Sequence, residues 1–285
     1  MSWIVFDLLV FVSSVLLYLT IRKSTIYKLP TQFNNLGIFL IPVFFFNAAN
    51  LISHSNKISA SHLLIIILAG IFLSYGSSIF SLKSIELAPN PGYSLIISKN
   101  YVLMTSFLAI PLFHQTLSMR GLFAIILIIF FSSLIVLNGK SKNKASSNAW
   151  FPLALGAFFG WGLLSLMAKY LYLHGVAPIT FLAYLSLVAT ICIFIEMYLK
   201  KVSLKPFKSH PWIFVTIGLS STAFNFFNFY TIKVAPNVGY VNATNAASIG
   251  VITLFAALLF KDELNARKLI GVTGTILSLV LLFTK

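Results

Sequence analysis

The segment Ala88-Pro-Asn-Pro-Gly-Tyr93 opens an apolar stretch that ends near Phe113. Ala235-Pro-Asn-Val-Gly-Tyr240 opens a second that ends at Phe260. The offset of 147 residues holds without a gap beyond the motif: 11 of the 35 positions paired between Ala88–Leu122 and Ala235–Leu269 are identical, including Leu117/Leu264 and Arg120/Arg267. The same offset pairs Trp3 with Trp150, Phe11 with Phe158 and Leu17 with Leu164. A self-match at one fixed spacing is the mark of internal duplication, so whatever one half folds into, the other must fold into as well.

Each copy holds five apolar runs. They cover roughly 3–21, 34–53, 62–85, 91–113 and 120–138 in the first half, and 150–172, 178–199, 211–233, 238–260 and 267–284 in the second. About 20 mostly apolar residues span a bilayer as a helix. Open strands cannot satisfy their backbone in lipid, and these runs are twice the length of barrel strands. With 59% hydrophobic and 9% charged residues, far below the roughly one quarter charged in soluble domains, the chain reads as an all-α integral membrane protein of ten transmembrane helices. The units are a first five-helix repeat over 1–139, a basic linker over 140–149 and a second repeat over 150–285. Because five is odd, the two copies lie in opposite orientations, as inverted repeats.

The net charge of +15 comes from short basic clusters between the runs, which suit lipid headgroups and topology rather than nucleic acid. Arg22, Lys23 and Lys28 follow the first run, and Lys200, Lys201, Lys205 and Lys208 follow the seventh. The positive-inside rule puts both loops in the cytoplasm and both termini outside. No metal-binding motif, phosphate loop or nucleophile elbow is present, so no enzyme activity, cofactor or metal is expected. Cys192, alone in an apolar run, reads as a buried packing residue.

Lys99 is the sharpest single residue. About eight residues into the fourth apolar run, it lies roughly 12 Å deep, where a charge costs at least about 2.5–3.5 kcal/mol. It therefore faces a polar cavity or a partner. The five acidic residues offer no partner in helix register: Asp7 and Glu196 lie near helix ends, Glu86 before a turn, and Asp262 and Glu263 in a loop. For the same reason proton coupling lacks an evident carrier near the midplane.

Asn100 and Tyr101 adjoin Lys99, and the matching stretch of the other copy carries Asn242 and Asn245. Tyr75 and Ser78 on the third run, with Asn225 and Asn228 on the eighth, add polar groups at helical spacing. Inverted repeats let midplane residues of both copies meet at one site, so these residues and Trp161 form the candidate substrate-binding set. Interhelical hydrogen bonds are the structural alternative for each polar one. Pro89, Asn90, Gly92 and Tyr93, with Pro236, Asn237, Gly239 and Tyr240, form two turns that act as gates or as capped hairpins. Gly156, Gly160 and Gly162 allow close helix approach.

With its five-plus-five duplication, the short turn after each third helix and the turns His114–Ser118 and Lys261–Asn265 before each fifth, the chain resembles the ten-helix EamA-type branch of the drug/metabolite transporter superfamily. The family's glycine–glutamate turn is matched by Glu263 with Asp262 in place of the glycine, and the first copy has no acid there. The resemblance implies alternating access through a cavity lined by helices 1–4 and 6–9. The expectation is a secondary transporter of small polar metabolites, such as amino acids or other carboxylated or zwitterionic solutes. It sits as a monomer or homodimer among lipids in a prokaryotic cytoplasmic membrane. The alternatives are a nucleotide-sugar, phosphate or lipid-linked carrier, and a non-transporting scaffold or sensor.

Overall fold

The computed structural model describes residues 3–53, 58–88, 91–137, 149–203 and 205–284. The linker expected over 140–149 lies outside the described residues apart from Ala149, as do Pro89 and Asn90. The first half consists of α1 (Trp3–Ile26), α2 (Thr31–Ile52), α3 (Ala60–Leu68), a π-helical segment (Ala69–Gly76), α4 (Ser77–Leu87), α5 (Pro91–Lys99), α6 (Tyr101–Phe113) and α7 (Met119–Val136). The second half consists of α8 (Trp150–Leu173), α9 (Pro178–Leu199), α10 (Lys205–Ser209), α11 (Pro211–Val234), α12 (Val238–Phe260) and α13 (Ala266–Phe283).

Among the described residues, nine helices are long and apolar enough to cross a bilayer. The remaining expected run, α11, is a 24-residue helix that misses that class because Ser220, Ser221, Thr222, Asn225 and Asn228 dilute its apolar character. Three further differences from the sequence pattern have local causes. α1 continues past residue 21 to Ile26, because a helix does not stop where apolar residues stop. The third run widens into a π-helical segment between Gly70 and Gly76, a feature that re-aims the side chains after it. The fourth run breaks at Asn100, whose N–H is shared between the carbonyls of Ile96 and Ile97 at 3.1 and 3.2 Å. Asparagine is a weak helix former and ends that turn. Cys192 is half-buried rather than buried.

Backbone details recur at the 147-residue offset. His114 and Lys261 both adopt the left-handed conformation, and each amide closes its helix onto the carbonyl of Ala109 or Ala256. Ser118 and Asn265 then cap α7 and α13 with their side chains. Such caps satisfy amides that no helical carbonyl reaches.

The helices interlock across the halves. α1 packs on α11 and α12, while α8 packs on the π-helical segment, α4, α5 and α6; α2 lies on α9, and α7 lies on α13. This last pair is mostly apolar, with Ser132, Thr275 and Ser278 among its few polar side chains. In lipid the driving force is close packing rather than water exclusion, and small residues provide it. A Cβ on Gly160 would collide with Ser77 of α4, so α8 and α4 touch almost backbone to backbone, as the glycine spacing implied.

Two ends can be distinguished by their contacts. The first carries the start of α1, the α6–α7 turn, the end of α8, the α11–α12 turn and the end of α13, as the contacts of Trp3 with Tyr240 and Phe283 show. The second carries the end of α1, the start of α11 and the α12–α13 turn, joined by Lys23 over Trp212 and by Arg22 with Asp262.

Candidate functional site

Lys99 ends α5 at the break in the fourth apolar run, so its side chain leaves the helix where the chain is redirected. Its Nζ lies 5.9 Å from the ring centre of Tyr18 on α1 and 5.4 Å from that of Trp161 on α8. Trp161 is therefore inside the bundle, and its indole also meets the Tyr101 ring edge-on at 6.3 Å. No described carboxylate pairs with Lys99: the two ion pairs among the described residues are Arg22–Asp262 and Lys200–Glu196. Cation–π contacts near the 6 Å limit are worth only about 0.5–1 kcal/mol each, well short of the insertion cost of a charge at that depth. The site holds a cation that the rings alone do not neutralise.

α12 supplies the neighbouring polar wall. Asn245 is hydrogen-bonded to the Tyr101 hydroxyl and accepts from Ser14 Oγ at 3.1 Å. Ser14 and Ser248 share a hydrogen bond of 2.9 Å. Asn242 Nδ2 donates to Thr105 Oγ1 at 3.0 Å, and its Oδ1 accepts from Ser165 at 3.4 Å. The residues that converge thus come from α1, α5, α6, α8 and α12.

A cavity of about 20 Å³ lies beside Lys99, lined also by Asn100, Ser132 and Ala246. Asn100 Oδ1 and Ser132 Oγ are buried there without hydrogen-bond partners. That volume holds about one water, so a metabolite would enter only by helix displacement.

Several of the candidate residues lie elsewhere. Tyr75 Oη donates to Glu196 Oε2 at 3.1 Å, in a cluster with Gln32 and Lys200 between α2 and α9. Ser78 donates to the carbonyl of Ser74 in its own chain turn, and Asn225 to Ser221. Asn228 is buried with its Oδ1 unpartnered. Composition marks these groups as polar but does not say which way each one faces. Tyr18 and Ser14 on α1, like Asp7 near its start, do not stand out in the sequence because the same run carries Ser13 and Thr20, which bond only carbonyls of their own helix. Their spacing of seven and four residues, which puts them on one helix face, was the available signal.

The two gate-like turns behave differently. At the first end, Val238 N–H donates to Gln115 Oε1 at 2.9 Å and Gln115 Nε2 donates to the Ala235 carbonyl at 3.4 Å. Asn237 caps α12 through Gly239 and donates to the Ser106 carbonyl at 3.2 Å. Ser118 N–H donates to Tyr240 Oη at 3.0 Å, and a Cβ on Gly239 would collide with Ser106. The segment holding Pro236 is thus clamped onto the α6–α7 turn of the other half. Lys169 Nζ seals the same end by donating to the carbonyls of Ile232 and Lys233 at 3.1 and 2.7 Å.

At the second end the described residues 147 positions away make other contacts. Asp262, the mate of Gln115, accepts a bidentate pair from Arg22, itself the mate of Lys169, at 2.6 and 2.9 Å. Gly92 lies in the first turn of α5. Tyr93 is 45% exposed against 7% for Tyr240, with its ring 6.4 Å from Trp150.

The model of the EamA-like transporter family matches residues 148–284, which is the second five-run unit. A solved structure titled "Crystal structure of protein" is similar to this chain over 97% of both chains, with a TM-score of 0.75 and 15% identity. At that identity the likeness speaks for the fold alone, and it covers both halves of the chain. No curated protein matches the sequence.

Proposed function

From the standing of residues 148–284 as an EamA-like transporter unit within a membrane-spanning fold of matching shape, we propose that this protein is a secondary transporter of small carboxylated or zwitterionic metabolites in a prokaryotic cytoplasmic membrane. The observation that carries the substrate class is Lys99, held between the rings of Tyr18 and Trp161 with no described carboxylate beside it. A substrate carboxylate completes that site: it takes up the ammonium protons while an apolar or aromatic body lies against the rings. Charge-assisted hydrogen bonds of this kind contribute about 1.5–3 kcal/mol.

The two halves work as inverted repeats that rock about the central site. The unequal ends support alternating access. One is clamped by Gln115, Asn237 and Tyr240, whereas at the other Asp262, the mate of Gln115, pairs with Arg22, and Tyr93, the mate of Tyr240, is exposed. Opening the clamped end and closing the other would pass the substrate across.

A nucleotide sugar fits less well, since a diphosphate calls for at least two cations and Lys99 is the one described at the site. The test is a thermal-shift panel of phenylalanine, glutamate, glucose 6-phosphate and UDP-glucose on the purified protein and on Lys99→Met. Uptake of radiolabelled binders into proteoliposomes follows. Stabilisation by a carboxylate that Lys99→Met abolishes is the expected result. Equal stabilisation of both proteins, or binding of UDP-glucose alone, overturns the substrate class; binding without uptake returns the reading to a scaffold or sensor.

A further inference from the structure

The described helices contain one fully buried carboxyl group that the substrate site does not use. Asp7 lies on α1 with no exposed surface, four residues and roughly 6 Å along the helix from Trp3. Trp3 stacks on Tyr240 at the clamped end, with ring centres 5.9 Å apart, so Asp7 sits immediately beneath that clamp. On the same face of α1 follow Ser14 and Tyr18, the latter in contact with Lys99.

The hydrogen bonding at Asp7 does not balance for a carboxylate. Its Oδ2 is 2.5 Å from Thr244 Oγ1, and its Oδ1 is buried with no partner. Thr244 has a single hydroxyl proton, and its Oγ1 also lies 3.2 Å from the Tyr240 carbonyl of its own helix. Thr244 therefore donates its one proton to Asp7 Oδ2 as the short contact, which leaves Oδ1 buried with no donor, whereas a carboxylate calls for donors at both oxygens.

Nothing nearby would stabilise the charged form. Of the titratable groups on the helices packed against α1, α12 contributes only Tyr240, whose hydroxyl is engaged with Ser118. α11 contributes Tyr230, packed on Phe6 at 4.7 Å, and Lys233, which is exposed. The remaining charges of α1, Arg22 and Lys23, are at its other end. An unpaired carboxylate in such surroundings is strongly disfavoured.

We propose that Asp7 is a proton-binding site coupled to the clamped end: it carries a proton while α12 is seated on the α6–α7 turn and releases it to water when that end opens. Holding the proton stabilises the clamp, and losing it favours opening, because the carboxylate then gains water as a partner. The step is a proton exchange with bulk water and needs no other reactant. It rests on the transporter reading for its role in transport, though not for its existence.

The test uses the full-length protein in lipid. Infrared difference spectra between mildly acidic and alkaline pH should show a protonated-carboxyl stretch at neutral pH that shifts in deuterated water. Asp7→Asn should abolish it and Thr244→Val should shift it. In a Cys192→Ser background, Val238→Cys, at a position that is now fully buried, should label with a membrane-impermeant thiol reagent several-fold faster at alkaline pH than its thiolate fraction explains. Adding Asp7→Asn should remove that excess. Absence of the band at neutral pH, its survival in Asp7→Asn, or the same labelling profile with and without Asp7 overturns the proposal. A protein that shows the band and the pH-gated labelling but moves no solute would refute the transporter reading and leave the proton site standing.

Discussion

Gln115 and Val238 lie in different halves of the chain and are joined by a hydrogen bond of 2.9 Å from the Val238 amide to the Gln115 side-chain oxygen. The amide belongs to the first turn of α12, where no helical carbonyl can serve it, so a side chain from the opposite half acts as its partner. The residue matched to Gln115 in the second half is Asp262, which bonds Arg22 instead. Equivalent turns thus serve one end as a clamp and the other as an ion-paired rim.

Gln115→Ala removes the acceptor of Val238 N–H and a donor to Ala235 while leaving the α6–α7 turn itself intact. Losing about 1–1.5 kcal/mol at this point should speed amide exchange across Val238–Val241 roughly tenfold. Exchange in α13 should not change. Hydrogen-exchange mass spectrometry reads both regions in one experiment, and unchanged protection at Val238 would show that Gln115 is not part of the clamp.

Lys99→Met keeps the stem and removes the charge. Carboxylate binding should weaken by roughly 10- to 100-fold, the equivalent of about 1.5–3 kcal/mol, while the apoprotein should be no less stable, since an uncompensated buried charge is gone. Trp161→Phe should retain most affinity and Trp161→Ala should lose it. Isothermal titration with the carboxylate found by thermal shift measures all three.

Gly160→Ala places a methyl group against Ser77, and overpacking of this kind costs about 1–3 kcal/mol. The melting temperature should fall, and Ser77→Gly added to it should recover much of the loss, because residues in direct contact are not additive. A double mutant no more stable than Gly160→Ala would place the strain elsewhere.

Breaking the Arg22–Asp262 pair should matter little for stability despite its bidentate geometry. Its side chains are 40% and 32% exposed, and solvent-screened pairs contribute about 0–1 kcal/mol. A double-mutant cycle with Arg22→Ala and Asp262→Ala should return a coupling inside that range. Substrate flux should change more than stability does, because the pair spans the end that has to rearrange.

Much of this protein is legible without coordinates. The apolar runs locate the long helices, since only a helix satisfies its own backbone in lipid. The 147-residue offset anticipates that His114 and Lys261 share a left-handed turn and that Ser118 and Asn265 share a capping role. The position of Lys99 inside an apolar run is enough to single it out. The glycines of α8 foretell a close helix approach, and the structure gives α4 as the partner.

The tertiary structure alone decides which polar groups meet. Tyr75 and Lys99 look equally eligible along the chain, yet Tyr75 turns to Glu196 and Lys99 turns to Tyr18 and Trp161. Asp7 reads as a helix-end residue until α12 is seen to cover it. The physical reason is that lipid is as apolar as a helix interface, so the hydrophobic pattern of a membrane helix says little about which side faces inward. That choice is made by packing and hydrogen bonding between helices far apart in the chain, and so is the choice of which end of the bundle is clamped shut.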